Sequence, residues 1–357
     1  MRVAVLLHWN EGEESGVFKK VVSQITTWKD YGVHVSFHVI SRYPMLTIWQ
    51  SHLKEVPITL HRYSGLVSRL RAWKSAVEAI KAQHPDLVYH RYDLYMPALK
   101  SLFRKFPVVL EINTNDLTEY CLTKGLRCWY NLTTRSWLLS QAAGLVFMTY
   151  ELSRFPCFSR YRKPSAVIPN GIDLRDFRPL PRAENNTPKL VFLGTGEQVW
   201  QGVDKILRMA EIFPRWQFEI VGIRPSRLRV NQKNVRVHGP LPRQAYEPLL
   251  AQADIAIGTL ALHRKKLNEA CPLKTREYLA YGLPVIIGYK DSDFINGAPF
   301  ILELPNTEDN VESRVSEITN FVSKWKGQRV PREAISHLDL LSKESQRLAF
   351  FRNILKG

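Results

Sequence analysis

The feature that most constrains this chain is an alternation of short apolar runs with longer amphipathic stretches. In the first half the runs are "RVAVLLH", "VHVSFHVI", "DLVYHRY", "PVVLEIN" and "GLVFMTY". Between them lie stretches such as "LVSRLRAWKSAVEAIKAQ", where Leu66, Leu70, Trp73, Val77 and Ile80 recur at three- and four-residue steps, the period of a helix with one apolar face. Near-continuous apolar strands alternating with such helices predict a parallel sheet covered on both faces. The polar, proline-bounded "LPRAENNTP" near 180–188 reads as a linker. After it the pattern restarts with "KLVFLGT", "VDKILRMAEIF", "WQFEIVG", "RQAYEPLLAQ", "ADIAIGT" and "LPVIIGY". A length of 357 residues suits two domains. The expected fold class is therefore α/β, with two Rossmann-like, doubly wound parallel-sheet domains facing across a cleft. They are placed at 1–180 and 187–335, and the basic amphipathic helix of 336–357 is a candidate to pack across the junction. Ligands of such sheets sit at the carboxyl ends of the strands.

Composition narrows the partners without choosing one. The formal net charge is +17, spread over both halves, which favours polyanions: nucleic acid, anionic lipid or phosphorylated small molecules. No RRM, KH, zinc-finger or arginine-rich pattern occurs, so no nucleic-acid partner is expected. No apolar run is long enough to span a bilayer, and "MRVAVLLHWN" reads as a first buried strand, not a signal peptide. Cys121, Cys128, Cys157 and Cys271 show neither a CxxC pair nor metal-ligand spacing. They fit a reduced, cytoplasmic protein without structural zinc.

The chemistry concentrates in "LNEACPLKTREYLAYGLPVIIG", Leu267 to Gly288. Pro272 suits a first helical position and Gly282 a helix end, so a helix is expected between them. Its free N–H groups at Leu273, Lys274 and Thr275 would face the carboxyl edge of "ADIAIGT", a place for a phosphate or diphosphate. Glu269 before the helix and Glu277 within it could each hold vicinal hydroxyls of a sugar. Read from these residues alone, a solvated helix glutamate at 277 and a loop charge at 269 are the slightly simpler account. A second stretch, "AVIPNGIDLRDFRPL", breaks from a short strand into the Pro169-Asn170-Gly171 turn.

Together, "PNGIDLRDF" and the Glu-x7-Glu segment ending in "EYLAYGLPVI" resemble the retaining glycosyltransferases of family 4, which have the GT-B fold. "KLVFLGTGEQVWQGVDKIL" and "VRVHGPLPRQAYEPLLAQADIAIGTL" are similar to the family's donor-domain segments, so the resemblance covers nearly the whole chain. It implies a hexosyltransferase using a nucleotide sugar of UDP or GDP type, with no cofactor and no metal, and with a glycan or lipid-linked acceptor, as in bacterial surface polysaccharide synthesis. Carried over, Glu269 would lie against the donor hexose as the catalytic carboxylate, and Glu277 on the ribose. Leu273, Lys274 and Thr275 would cradle the diphosphate, approached by Gly16 and by the Gly194–Thr195 turn.

The family commonly places an arginine just after that turn and a lysine before the next glycine. Here Thr195 or Gly196 and then Gln201 stand there, which makes Arg264, Lys265 and Lys266 the candidate replacements. Asn113 stands near the family's usual first-domain histidine. It joins Arg91, Glu111 and Asn10 as acceptor-side candidates, although Arg91 and Glu111 suit an ion pair as well. The "DSD" of Asp291–Asp293 is expected to be a solvated loop, not a metal site. The basic, Trp-bearing stretch from Ile48 to Lys74 suits a peripheral contact with an anionic membrane surface, and equally a solvated basic face with Trp73 in the core. A catalytically inactive scaffold or nucleotide-sugar sensor is the alternative function.

Overall fold

The computed structural model describes residues 1–357 apart from 13–14, 122–124 and 195–197; Thr195 lies outside the described residues. The chain divides into two units: residues 1–169 with 340–357, and residues 170–339.

The first unit runs β1 (Arg2–His8), α1 (Gly16–Asp30), β2 (His34–Ser41), α2 (Leu46–His52), β3 (Ile58–Arg62), α3 (Leu66–Gln83), β4 (Leu87–Arg91), α4 (Leu99–Lys105) and β5 (Val108–Ile112). It continues with α5 (Asp116–Cys121), α6 (Leu126–Gln141), β6 (Gly144–Phe147), α7 (Tyr150–Arg154), α8 (Pro156–Ser159) and β7 (Ser165–Val167). Among the described residues these strands form one sheet in the order β3-β2-β1-β4-β5-β6-β7, with every pair parallel. Val3 to Leu7, Val88 and Val108 to Leu110 are buried, the two-sided burial that their unbroken apolar runs predict.

The second unit runs β8 (Lys189–Leu193), α9 (Val203–Ile212), β9 (Gln217–Val221), β10 (Val235–Val237), α10 (Arg243–Gln252), β11 (Ile255–Ile257), β12 (Glu269–Ala270), α11 (Leu273–Ala280), β13 (Val285–Ile287), β14 (Lys290–Asp291), β15 (Ile301–Glu303) and α12 (Val315–Trp325). Its main sheet is ordered β10-β9-β8-β11-β13-β15, with β12 and β14 as a separate pair. The order reverses between β8 and β11, so the crevice beyond their carboxyl ends is the natural ligand position of this topology. Gly222 turns there with φ +95°, and any Cβ on it would collide with the Gly194 carbonyl. The two turns approach backbone to backbone because residue 222 is glycine.

The unit boundary falls at Pro169–Asn170, ahead of the expected 180. The physical reason is that Asn170 donates through Nδ2 to the Cys271 carbonyl at 2.9 Å, inside the second unit. The last helix, α13 (Leu340–Lys356), belongs to the first unit. Its buried Glu344 accepts from Trp28 Nε1 at 2.7 Å and from Arg347 Nε at 2.9 Å, and Arg347 donates to the Tyr89 hydroxyl at 2.8 Å.

The cysteines need a correction. Cys121, at the end of α5, and Cys128, in the first turn of α6, are joined in a disulfide, with Cα atoms 4.7 Å apart. Cys157 and Cys271 are not in disulfides, and burial pushes the Cys271 thiol up to about 11. No helix among the described residues is long and apolar enough to cross a membrane.

Candidate donor-binding site

In the second unit, α11 begins one residue later than the sequence suggests. Pro272 is its N-cap, with extended backbone (φ −65°, ψ 139°), and Gly282 closes it at φ +83°. The Thr275 N–H is already bonded to the Pro272 carbonyl at 3.1 Å, a tightened first turn. That corrects the expected trio of free donors: the outward-facing N–H groups are those of Leu273 and Lys274. The Thr275 side chain is buried and bonds the Tyr289 hydroxyl at 2.7 Å, so it fixes the helix from below.

Lys274 is the unusual group. The residue as a whole is half-buried, yet its Nζ is shielded and has no hydrogen-bond partner among the described residues. It rests 4.2 Å above the Phe192 ring at the end of β8. Burial lowers its pKa to about 7. A buried ammonium without a counter-ion is costly, and an incoming anion would remove that cost.

Glu277, one turn deeper in α11, accepts from the Tyr246 hydroxyl of α10 at 2.7 Å. Burial, and then the Glu277 charge, raise the Tyr246 phenol and keep it a donor. Glu269 is half-buried on β12, its backbone in register with Lys290 of β14. Tyr281, at the end of α11, packs edge-on against Phe177, ring centroids 5.1 Å apart, and Arg243 lies 4.3 Å over the Phe177 ring. Phe177 and Tyr281 come from the two separate stretches, which this contact joins.

The "DSD" expectation is also corrected. Asp291 is fully buried, not solvated. Arg276 holds it through two bonds of 2.7 and 2.8 Å, reaches Asp293 at 2.8 Å, and donates through Nε to the Asn170 carbonyl at 3.0 Å. The acids neutralise an arginine that ties α11 to the Asn170 backbone. Among the described residues no cluster of three or more metal-ligating side chains occurs.

The candidate replacement cations are differently placed. Arg264 already spans Asp204 and Glu308, each at 2.7 Å, and donates to the Val199 carbonyl at 2.9 Å. These partners hold its guanidinium charged, so its charge is spent within the protein. Lys265 lies 4.2 Å over the Trp200 ring, and Lys266 is exposed in a left-handed turn. Gln201 is buried and bonds Gln198 at 2.5 Å. Gly194 bonds the Val221 carbonyl at 2.9 Å, and a side chain there would strike both the Phe192 ring and Gln201.

In the first unit Gly16 is the first residue of α1, behind the Ser15 cap. Arg91, Glu111 and Asn113 come together at the carboxyl ends of β4 and β5. Arg91 donates to Asn113 at 3.2 Å, Asn113 donates to Glu111 at 3.0 Å, and Arg91 sits 3.7 Å from Glu111. Lys20 approaches Glu111 more closely, at 2.9 Å. Burial alone would raise the Glu111 carboxyl, but Lys20, Arg347 and Arg91 hold it well below its usual range. Asn10 accepts from the Arg42 N–H at 2.8 Å and donates to the Tyr63 hydroxyl at 3.0 Å, beside a His8–Asp93 pair at 2.6 Å.

Sequence reasoning missed Tyr246, Arg276 and the structural use of Asp291. The only available signal was a basic residue directly before Glu277 and two acids 15 and 17 positions on.

Residues 187–307 match the family model described as "Glycosyl transferases group 1". Comparison with curated proteins returns no match. Among solved structures, the chain is similar to the sucrose-phosphate synthase of Thermosynechococcus elongatus, with 15% identity, 99% of this chain and 96% of that one covered, and a TM-score of 0.66. It is similar to the lipopolysaccharide outer core galactosyltransferase WaaB in its apo form, with 13% identity, 99% of both chains covered and a TM-score of 0.70. It is also similar to Anabaena HepE in complex with UDP-glucose, with 12% identity, 98% and 99% covered and a TM-score of 0.68. Residues 187–307 therefore carry a group 1 glycosyltransferase domain, in a chain with the two-unit Rossmann-like α/β fold, GT-B, of glycosyltransferases.

Proposed function

We propose that this chain is a retaining, family 4 hexosyltransferase. It takes a UDP- or GDP-sugar in the second unit and delivers the hexose to a hydroxyl of a glycan or lipid-linked acceptor. The observation that carries this reading is the Lys274 Nζ, buried and without a hydrogen-bond partner among the described residues at the start of α11, beside the switch point of a parallel sheet. An anion belongs there, and the neighbouring Glu277 and Glu269 suit hydroxyl groups on either side of it. Lys274 takes the place of the cations that the family usually supplies near Thr195 and Gln201.

In this scheme the bond from the anomeric carbon to the diphosphate oxygen breaks as the acceptor oxygen bonds the same face of that carbon. The acceptor proton passes to the departing phosphate oxygen. Lys274 and the α11 N-terminus stabilise the growing negative charge, the term that usually matters most, and the reaction proceeds without a metal ion. Glu269 stabilises positive charge on the sugar, and Glu277, oriented by Tyr246, holds the ribose. Arg91, Asn113 and Asn10 serve the acceptor on the cytoplasmic side of the cell. The enzyme's placement in surface polysaccharide synthesis rests on the resemblance. The engagement of Arg264 with Asp204 and Glu308 favours one second reading, a sensor that binds nucleotide sugar without turnover.

A thermal-shift screen of UDP-, GDP- and ADP-sugars against wild type, Glu277→Ala and Lys274→Met tests the reading. At least one sugar nucleotide should raise the wild-type Tm by several degrees at saturation, and neither variant should respond. A wild type that responds to none, or variants that respond equally, would overturn the site.

A further inference from the structure

Cys121 and Cys128 are seven residues apart and bonded to each other, and both are half-buried, within reach of a small solute. The bond closes the end of α5 onto the first turn of α6. Six residues long, α5 is shorter than the roughly 12 residues that a helix needs to persist on its own, so it depends on what holds each end. At its start, buried Asp116 accepts from Arg135 of α6 at 2.7 and 2.9 Å and from Asn131 at 2.6 Å. At its end stand the disulfide, the Tyr120 hydroxyl donating to Asp93 at 2.9 Å, and Arg127 lying 5.1 Å over the Tyr120 ring.

Tyr120 connects this bond to a polar chain along the carboxyl edge of the first sheet. Asp93 bonds His8 at 2.6 Å, His8 bonds Tyr63 at 2.7 Å, and Asn10 donates to the Tyr63 hydroxyl at 3.0 Å. Burial, and then the Asp93 charge, raise the Tyr120 phenol and keep it a donor. Burial alone would raise the Asp93 carboxyl, but His8, the Leu94 N–H and Tyr120 hold it well below the usual carboxylate range. Tyr120 and the two cysteines are neighbours on one short helix and the turn that follows it, so whatever frees the end of α5 also frees one donor of Asp93.

We propose that the Cys121–Cys128 bond is a reversible redox site whose partner is a low-molecular-weight thiol, and that opening it releases the end of α5 and slackens the Tyr120–Asp93 contact. A thiolate attacks one cysteine sulfur and expels the other, which takes up a proton. A second thiolate attacks the small-molecule sulfur of that mixed disulfide and expels the remaining cysteine, leaving two cysteine thiols and one small-molecule disulfide; the reverse exchange restores the bond. With Asp116 still held by Arg135, the change is a local opening, not the unfolding of the unit. Its consequence for an acceptor at this edge rests on the function proposed above: the oxidised state is the one that keeps His8 and Asn10 in a fixed chain. The donor site in the second unit contributes none of these residues.

The full chain, equilibrated in glutathione buffers of stepped reduced-to-oxidised ratio, then alkylated and read by mass spectrometry of the Cys121 and Cys128 peptides, tests the chemistry. The two thiols should appear together within the series and disappear when oxidised glutathione is restored. Hydrogen exchange on the same samples should quicken about tenfold or more in Asp116–Cys121 on reduction, by a smaller factor at residues 8–10, and not in α11. The double change Cys121→Ser with Cys128→Ser should exchange like the reduced protein at every ratio. Tyr120→Phe should quicken residues 8–10 with the disulfide intact. A bond that stays closed throughout the series in the folded protein, cysteines that remain thiols in oxidised glutathione, or exchange that rises equally in both units would overturn the proposal. Neither readout uses a sugar nucleotide, so failure of the donor assignment leaves this test standing.

Discussion

Arg276 and Asp291 form a fully buried, two-bond ion pair, and the same guanidinium grips the Asn170 carbonyl. The start of α11 is therefore held in place by buried, paired charges. Breaking such a pair from one side leaves a buried, unmatched charge and costs about 3–5 kcal/mol. Asp291→Ala should destabilise the second unit by that order in urea unfolding, and the double change Arg276→Met with Asp291→Leu should recover much of the loss. The wild-type Tm should be the same in EDTA and in magnesium or manganese. A metal-dependent Tm would return the "DSD" to the role of a cation site.

Lys274 predicts opposite effects on stability and binding. With its folded pKa lowered to about 7 and its unfolded value near the ordinary lysine range, the unfolded chain binds more protons between those two pH values. Wild-type stability should therefore rise with pH across that window. Lys274→Met should be the more stable protein at pH 6, with the gap closing by pH 10. Nucleoside diphosphate affinity should run the other way in wild type, weakening by up to about tenfold per pH unit above 7 as the ammonium form is lost. Calorimetry of the methionine variant should show weak binding with no such slope.

Tyr246 orients Glu277 through a 2.7 Å bond. A hydrogen bond to a charged group contributes about 1.5–3 kcal/mol, and part of that bond is replaced by water in the bound site. Tyr246→Phe should weaken nucleotide-sugar binding by about tenfold with little change in kcat. An equal fall in kcat would give the phenol a part in the chemical step instead.

In the first unit, buried His38 and His61 stack with ring centroids 5.7 Å apart. His38 bonds Gln83 at 2.9 Å and His61 bonds Ser75 at 3.1 Å. Burial, and then His38, lower His61 to about 4, and burial also lowers His38. Both are neutral at pH 7, so their contribution is complete above the ordinary histidine value and is lost as pH falls from about 6.5 towards 4. Urea midpoints of the first unit should drop across that interval in wild type and less steeply in His61→Phe.

Local periodicity in the sequence by itself determined much of this protein. Residue burial on a strand or helix repeats over two to four positions, so β1, β2, β4, β5, β6, β8, β11 and α3 were all legible as runs. The Gly282 turn after α11 was legible for the same reason, since a left-handed cap is a one-residue property. The short edge strand Ile58–Arg62 and the two-residue pair β12 and β14 were not, because such pieces are too short to show a period. Tertiary structure alone decided which charges are spent and which remain. Arg264 and Lys274 look alike in the sequence, but among the described residues the path of the chain brings Asp204 and Glu308 to one and the face of Phe192 to the other. Pairings such as Arg276 with Asp291, Asn170 with Cys271, and Cys121 with Cys128 likewise depend on where the backbone returns. A return across loops leaves no repeating trace in the residues it joins.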